Sequence, residues 1–527
     1  MSSESPPPRR RLALNTAIFA VATGLSRIAG LLREVVAASY FGTSKFASAF
    51  TIASQIPNLM SNLFAQAALS AAFVPVFTDL LQQGKKREAF RLASTLFWII
   101  LMALGAITAL GIVLAGVILP LFSGANFDGA VAATLTQIMF PVVLALGLTG
   151  LLVGILQSYD EFSIPALAPV LWNGVILVLL IALHNSFGKH GIYAYAVAWL
   201  IATIVQMILI ASALRRIDFR LRIEVDWHDP RVRQVFALML PVTIGLGIIN
   251  LDALINSTFG ALVNSNGPRA IQLAFLIYML PQGVFSVAVS TVLFPTLSRQ
   301  AARRAPAEMR RTLGNGMRQI NLLLIPCAAG IVALSTPIVR LVFQHGSFGA
   351  ESTHLTSIAL FWFAWSLPFA GLNLLLTRTF FALQLPWIPT QLAAVNMLVD
   401  ILLSVALYEP LGIAGLVIGT AVANIVMTWL QLHRLRIGFN GRLEGGQTLM
   451  ITARITAASV IMAALARVVW LLVNAVVGGS LVGQLVSVGL AVGLAAAFYA
   501  KAVTAMHIPE ARQIETLILG RLRARRA

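Results

Sequence analysis

A polar stripe lies on one face of an otherwise apolar segment near the N-terminus. At 100° per residue its members fall within an arc of roughly 120° on a helix, and they are Thr23, Ser26, Arg27, Gly30, Arg33 and Glu34. A charge at bilayer depth costs at least ~2.5–3.5 kcal/mol, so this face should line protein or water. Arginine stays ionised and binds anionic oxygens through parallel hydrogen bonds. The stripe therefore predicts an anion-binding face, although an Arg33–Glu34 pair that only anchors the helix end remains an alternative.

A second stripe, made of neutral groups, lies on the next apolar segment. It consists of Ser48, Gln55, Asn58, Asn62 and Gln66. Pro57 in the same segment frees a backbone carbonyl, which needs a partner or a wet cavity. Two neighbouring polar stripes predict a hydrated central cavity. Hydrogen bonds between packed helices are the alternative explanation for the neutral stripe.

Further charges fall inside apolar segments. Asp252, Asp400 and Arg378 are candidates for function. Arg454 and Arg467 lie near opposite ends of their segment, where snorkelling explains them. Neither a nucleophile–base pair nor histidines with metal-ligand spacing are apparent, so we expect neither an enzyme nor a bound cofactor.

The composition places these stripes in a membrane protein. The 527 residues are 58% hydrophobic and only 11% charged, against roughly 25% charged residues in soluble proteins. The formal charge of +18 could suggest nucleic acid, but the cations cluster in short loops between apolar runs, as membrane topology requires. We therefore expect a polytopic all-α protein with no nucleic-acid partner.

Fourteen apolar stretches are long enough to cross a bilayer core of ~30 Å. They are 13–40, 46–81, 90–121, 131–157, 163–184, 190–214, 233–263, 270–298, 312–343, 353–382, 386–408, 411–433, 448–473 and 480–505. Most loop arginines fall on one side of this alternation, while the other side holds little beyond Lys45, Lys189, Arg269 and Arg340. The charge rule predicts that both termini are cytoplasmic.

An internal repeat predicts two six-helix lobes. Pro57 pairs with Pro281, Gly147 with Gly371, and "IP" at 164–165 with "IP" at 388–389, all at one offset. An even number of helices per repeat makes the repeats parallel. The predicted parts are a disordered cytoplasmic tail (1–12), an N-lobe (13–214), a cytoplasmic linker (215–232), a C-lobe (233–433), two further helices (448–505) and a basic cytoplasmic tail (506–527).

Several motifs resemble the MurJ (MviN) family, the bacterial lipid II flippases of the MOP exporter superfamily that also contains the MATE exporters. They are "SRIAGLLREVVAASYFG", "IPNLMSNLFAQAALSAAFVPVF", "GILQSYDEFSIPALAPVLWNG", "FPTLSR", "FQHGSF" and "LTRTFFALQLPWIP". The resemblance implies a V-shaped transporter in the inner membrane, driven by the membrane potential or a cation. A central cationic cavity would hold the diphosphate and sugars of lipid II, and residues 448–505 would form a groove for its tail.

The resemblance also implies site residues. Arg27, Arg33 and Glu34 match the family's first helix, and Asn173 and Arg378 fit its pattern. Departures fall in the second helix, where Ser48, Gln55 and Gln66 stand for Asp, Lys and Glu, and in the eighth, where Leu276 and Met279 fall near the family's Arg and Glu. The cavity is thus expected to keep its polarity but lose much of its charge.

Three functions follow from these observations. The first is a flippase for lipid II or a related lipid-linked saccharide. The second is a MATE-like ion-coupled exporter of small amphiphiles, which would need an intramembrane acid such as Asp252 or Asp400. The third is a non-transporting paralogue that serves as a scaffold for cell-wall synthesis proteins.

Overall fold

The computed structural model describes residues 8–64, 67–121, 127–217, 219, 221–439 and 443–511, and within these ranges the side chains of 8–20, 61–71, 121, 189–190, 240–242, 244–250 and 252–253 are not described. Every regular element in the described part is helical. The helices are α1 Pro8–Phe41, α2 Lys45–Phe64, α3 Ala67–Gln82, α4 Lys86–Leu121, α5 Gly129–Met139, α6 Pro141–Ser158, α7 Ser163–Leu183, α8 Gly191–Ala213, α9 Pro230–Val263, α10 Gly267–Pro281, α11 Val287–Ala302, α12 Pro306–Phe343, α13 Ala350–Ala382, α14 Trp387–Leu411, α15 Ile413–Gly438, α16 Gly445–Val477 and α17 Leu481–Ala505.

Eleven helical segments of the described chain are long and apolar enough to cross a membrane. They are Lys86–Pro120, Gly129–Ser158, Ser163–Gly188, Gly191–Ile217, Gly267–Ala302, Pro306–Phe343, Ala350–Ala382, Trp387–Leu411, Ile413–Gly438, Gly445–Val477 and Leu481–Ala505. The prediction of a polytopic all-α membrane protein is confirmed. The count of fourteen spans stays a prediction, because α1, α2, α3 and α9 are not among the eleven.

The chain forms two compact units, Met1–Arg269 and Ala270–Ala527. In the first, α1 packs against α7, α7 against α8, and α2 against α5 and α9. Its apolar core includes Phe73 and Phe77 of α3 packed with Leu92 and Leu96 of α4. Because α9 packs on α2 and α3, the first unit extends beyond the N-lobe that the sequence repeat predicts. The lobe boundaries stay a prediction.

In the second unit, α12 is the central helix. It packs against α13 and α16, while α15 packs against α13 and α14, and α16 against α17. Gly412 ends α14 with φ of 59°, a left-handed conformation that favours glycine, and lets α15 begin at the next residue. The last two long helices, α16 and α17, pack against each other and both contact α12.

Parts of the predicted tails and linker are among the described residues, and the predicted division of the chain stays a prediction. Residues 8–12 belong to α1, and Ile508, Glu510 and Ala511 are buried. In the linker, the Arg222 carbonyl accepts a hydrogen bond of 2.8 Å from the Trp98 indole of α4. Residues 1–7 and 512–527 lie outside the described residues.

Candidate functional site: a buried arginine–glutamate network

Glu34 is the centre of a buried ionic network in the first unit. It is 7% exposed, and its Oε1 accepts hydrogen bonds from Arg33 Nη2 at 2.7 Å and from Tyr195 Oη at 3.1 Å. Its Oε2 accepts one from Arg269 Nη2 at 2.7 Å. Three elements, α1, α8 and the first turn of α10, thus meet on one carboxylate. Both carboxylate oxygens are used, as a buried charge requires.

Arg33 is held on three sides. Its Nη1 donates to Asn173 Oδ1 at 3.0 Å, and its guanidinium carbon lies 5.0 Å from the ring centre of Trp172 and 5.4 Å from that of Trp199. Such cation–π contacts stabilise a charge that has left water. The Nε of Arg33 is buried and has no hydrogen-bond partner in the described structure, so the network retains one spare donor.

Asn173 connects this network to the preceding turns of α1. Its Nδ2 donates to the Pro169 carbonyl at 2.9 Å, and it lies 3.4 Å from the Ser26 carbonyl. α1 and α7 also approach each other at Gly30, where an added Cβ would come into ordinary contact with the Asn173 oxygen at 3.6 Å. Ser26, Arg33, Glu34 and Asn173 are therefore brought together. Arg27 is exposed.

The neutral stripe of α2 is used in part for helix packing. Gln55 Nε2 donates to Ser257 Oγ of α9, a hydrogen bond between packed helices, which is the alternative explanation for this stripe. Ser48 is buried and Asn58 is half-buried. The side chains of Asn62, Gln66 and Asp252 lie outside the described residues. A cavity lined by this stripe stays a prediction.

Two candidates lie in the second unit. Arg378 of α13 is half-buried, and its guanidinium carbon lies 5.9 Å from the ring centre of Phe294. Asp400 of α14 is 1% exposed, and the Thr420 hydroxyl of α15 lies 3.3 Å from each of its carboxylate oxygens. Asp400 is thus an acid enclosed between two membrane helices.

An apolar groove of about 360 Å³ runs along α12 in the second unit. Its other walls come from α16, α17 and Pro281, and the lining includes Ile331, Met462 and Val492. The Tyr499 hydroxyl at its edge donates to the Leu322 carbonyl at 2.7 Å, so the aromatic residue offers the groove mainly its ring. A groove with these walls suits a hydrocarbon chain.

Sequence reasoning missed Arg269 as a site residue. It lies at the start of a predicted span, and we counted it among the few loop cations of the outer side, yet its side chain is 2% exposed. An arginine in the first turn of an apolar helix is the signal that could have found it. Tyr195 and Trp199, one turn apart on α8, could have been found as an aromatic face with two polar hydrogen-bond donors.

The comparisons with known proteins agree with this architecture. The family model described as "Lipid II flippase MurJ" matches residues 37–504. The chain belongs to the MurJ family. The "Lipid II flippase MurJ" of Burkholderia cenocepacia is 30% identical over 423 residues, covering 79% of this chain and 82% of that protein. The "Probable lipid II flippase MurJ" of Rhizobium meliloti is 30% identical over 450 residues, covering 83% of each.

Solved structures show the same fold at lower identity. A MurJ in an inward closed conformation has a TM-score of 0.77 at 23% identity, covering 93% of this chain and 100% of that one. An inward-facing MATE family transporter of the MOP superfamily has a TM-score of 0.61 at 15% identity, covering 82% of this chain and 97% of that one. The MOP exporter fold expected from the motifs is confirmed.

Proposed function

We propose that this membrane protein is a flippase that moves lipid II, or a closely related lipid-linked saccharide, across the cytoplasmic membrane by alternating access. The observation that carries the proposal is the family match over residues 37–504. It is a transporter rather than an enzyme. The buried network supplies the chemistry that such a substrate needs.

The network has a surplus of positive charge. Two guanidinium groups, those of Arg33 and Arg269, share the single carboxylate of Glu34. The loss of hydration in an apolar environment is costly for a diphosphate unless cations pair with it. Arginine forms strong charge-assisted hydrogen bonds to phosphate oxygens. We assign the anion site to this cluster, with Ser26, Arg27 and Asn173 beside it on α1 and α7. Leu276 and Met279 of α10 are uncharged where the family has Arg and Glu, but Arg269 supplies a cation from the first turn of the same helix.

The apolar groove on α12, α16 and α17 is assigned to the lipid tail. Most of its lining side chains are aliphatic, and burial of hydrocarbon there is favourable in proportion to the area removed from water. This assignment includes the predicted role of residues 448–505 and adds α12 as a wall. Arg378 in the second unit and, separately, the polar residues of α2 in the first unit are proposed as contacts for the headgroup.

Transport is coupled, in this proposal, to the membrane potential or to a cation through Asp400 and Asp252. Asp400 supports the coupling role, because an acid buried among membrane helices is costly and usually marks a functional site. The Thr420 hydroxyl beside it would give a bound cation a further oxygen ligand. Asp400→Asn should make transport into liposomes insensitive to potential and cation gradients that drive the unmodified protein. Equal sensitivity of both proteins would contradict the coupling role.

Both termini are placed in the cytoplasm, because the Arg-rich loops alternate with nearly uncharged ones. Reporter fusions after residues 84, 222 and 305 should give a cytoplasmic signal, and fusions after 125, 266 and 348 an external one. Reversed signals at any two of these positions would overturn the orientation.

Complementation tests the function itself. A bacterium depleted of its own lipid II flippase should regain growth when this protein is expressed, and purified protein in liposomes should move lipid II between leaflets. If the protein reaches the membrane but neither rescues growth nor moves lipid II, the scaffold hypothesis is favoured. Movement of small amphiphilic cations instead of lipid II would favour the MATE-like reading.

A further inference from the structure

A second cavity in the second unit has a basic rim. It measures about 610 Å³ and lies where α12 and α16 begin and α15 ends. Arg310, His433 and Arg436 line it, and the His433 ring stacks on Trp429 at 5.5 Å between ring centres. Cations and an indole at helix ends are typical of the level of lipid headgroups.

The one acid among the described lining residues is already engaged. Glu444 Oε2 lies 3.2 Å from Arg318 Nη1, and Arg318 also pairs with Glu510. Next to Glu444, α16 begins with Gly445 and Gly446, where an added Cβ would meet nothing within 4 Å. The N-terminal N–H groups of a helix attract phosphate, and here the bare backbone can be approached closely. The rim thus favours an anion.

The basic cavity adjoins an apolar slot of about 420 Å³ between α12, α13 and α16. Asn321, Phe369, Leu372 and Thr452 line both spaces. Beyond them the walls are mostly aliphatic and aromatic, formed by Ile325, Ala328, Val332, Trp365, Val460 and Ala463. A basic cavity beside an apolar slot matches the layout of an amphiphile.

Asn321 lies at the junction with an unused polar atom. It is 5% exposed, its Nδ2 donates to Thr452 Oγ1 at 2.9 Å, and its Oδ1 is buried with no partner in the described structure. A buried polar atom without a partner is uncommon, and a water or a ligand can satisfy it. Oδ1 can accept from a hydroxyl, and because the Thr452 hydroxyl both donates and accepts, the amide can instead turn its N–H toward an ester carbonyl.

We propose that this space is a binding site for an anionic glycerophospholipid of the bilayer. The phosphate lies among Arg436, Arg310 and the start of α16, the glycerol region reaches Asn321, and one acyl chain fills the slot. The Arg-rich C-terminal residues 512–527 do not complement a basic rim. The site is distinct from the tail groove, which has α17 as a wall. Its occupant is a resident lipid rather than the transported one.

Lipid titration of the purified, delipidated protein tests the charged part of the site. Phosphatidylglycerol should bind and raise the melting temperature more than phosphatidylcholine does. Arg436→Gln should weaken phosphatidylglycerol binding about tenfold, as loss of a charge-assisted contact to phosphate does. Arg434→Gln is the matched control, because Arg434 is exposed two positions earlier and points to another side of α15. Equal weakening in both variants, or no preference for phosphatidylglycerol, would overturn the proposal.

A substitution in the slot tests the acyl chain without altering the charges. Ala463→Phe should reduce phosphatidylglycerol retention, counted by native mass spectrometry, several-fold relative to Ala464→Phe, whose residue is exposed and does not line the slot. Equal retention in the two variants would contradict an acyl chain at this place. Lipid II is titrated in parallel. If Arg436→Gln loses the response to lipid II and keeps that to phosphatidylglycerol, the occupant is the transported lipid and the proposal fails.

Discussion

Replacement of Glu34 by alanine is expected to lower the free energy of unfolding by about 3–5 kcal/mol, the usual cost of removing one partner of a buried ion pair. The carboxylate is the shared partner of Arg33 and Arg269, and both of its oxygens are within 2.7 Å of a guanidinium nitrogen. Without it, the buried guanidinium groups of Arg33 and Arg269 lose the carboxylate that they share. Thermal and denaturant unfolding in detergent measure the loss.

Glu88→Ala is the matched control for this variant. Glu88 also pairs with an arginine at 2.8 Å, but the two side chains of that pair are 45% and 31% exposed. Exposed pairs contribute about 0–1 kcal/mol, so Glu88→Ala should have little effect. The double variant Glu34→Ala, Arg269→Met leaves one buried cation instead of two and should recover part of the stability. Losses that simply add would contradict a shared network.

The polar stripe of the first helix could be predicted from sequence because helical spacing alone places its residues on one face. The pairing of Arg33 with Glu34 was among the alternatives, and the structure contains it. The stripe could not show that the pair is buried rather than at an interface. That depends on α7 and α8, which supply Asn173, Trp172 and Trp199 from distant parts of the chain.

Arg269 could not be placed by the same reasoning. Loop cations were counted to orient the helices, and such a count treats every arginine near a helix end as solvated. In the structure the guanidinium of Arg269 reaches a carboxylate 235 positions earlier in the chain. Periodicity carries no information about contacts between distant segments, so the network became apparent only with the tertiary packing. The same limit applies to Gln55, whose partner Ser257 lies on α9.

The packing of α9 shows the same limit of sequence patterns for the lobe boundaries. The repeat predicts a boundary before α9, because sequence self-similarity marks which segments of the chain repeat and not which helices are in contact. Contacts report which helices share a core, and α9 shares one with α2 and α3. The lobe boundary from the repeat and the unit boundary from the contacts therefore differ. The linker at 215–232 contacts α4 through Trp98 and Arg91.

Arg33→Ala is expected to abolish lipid II transport with a smaller loss of stability than Glu34→Ala. After this substitution Glu34 keeps Arg269 and Tyr195 as partners, so the remaining buried pair is neutral. What disappears is the surplus charge and the spare Nε donor that we assign to the diphosphate. Arg33→Lys should recover part of the transport, because it restores the charge without the planar fork that reaches Glu34 and Asn173 together.

Lipid II movement between liposome leaflets and lipid II binding are the measurements, each set against the melting temperature of the same preparation. Arg467→Ala is the control, since Arg467 also stacks on an indole, 4.8 Å from the ring centre of Trp470, and lines neither the anion site nor the tail groove. A stable Arg33→Ala protein that transports and binds lipid II normally would show that the network serves the fold alone. If Arg33→Ala loses transport but keeps a melting temperature near that of the unmodified protein, the role of Arg33 in substrate binding is separate from its role in stability. In that case the neutral Glu34–Arg269 pair stabilises the helix packing, and the missing Arg33 guanidinium accounts for the lost contact with the substrate.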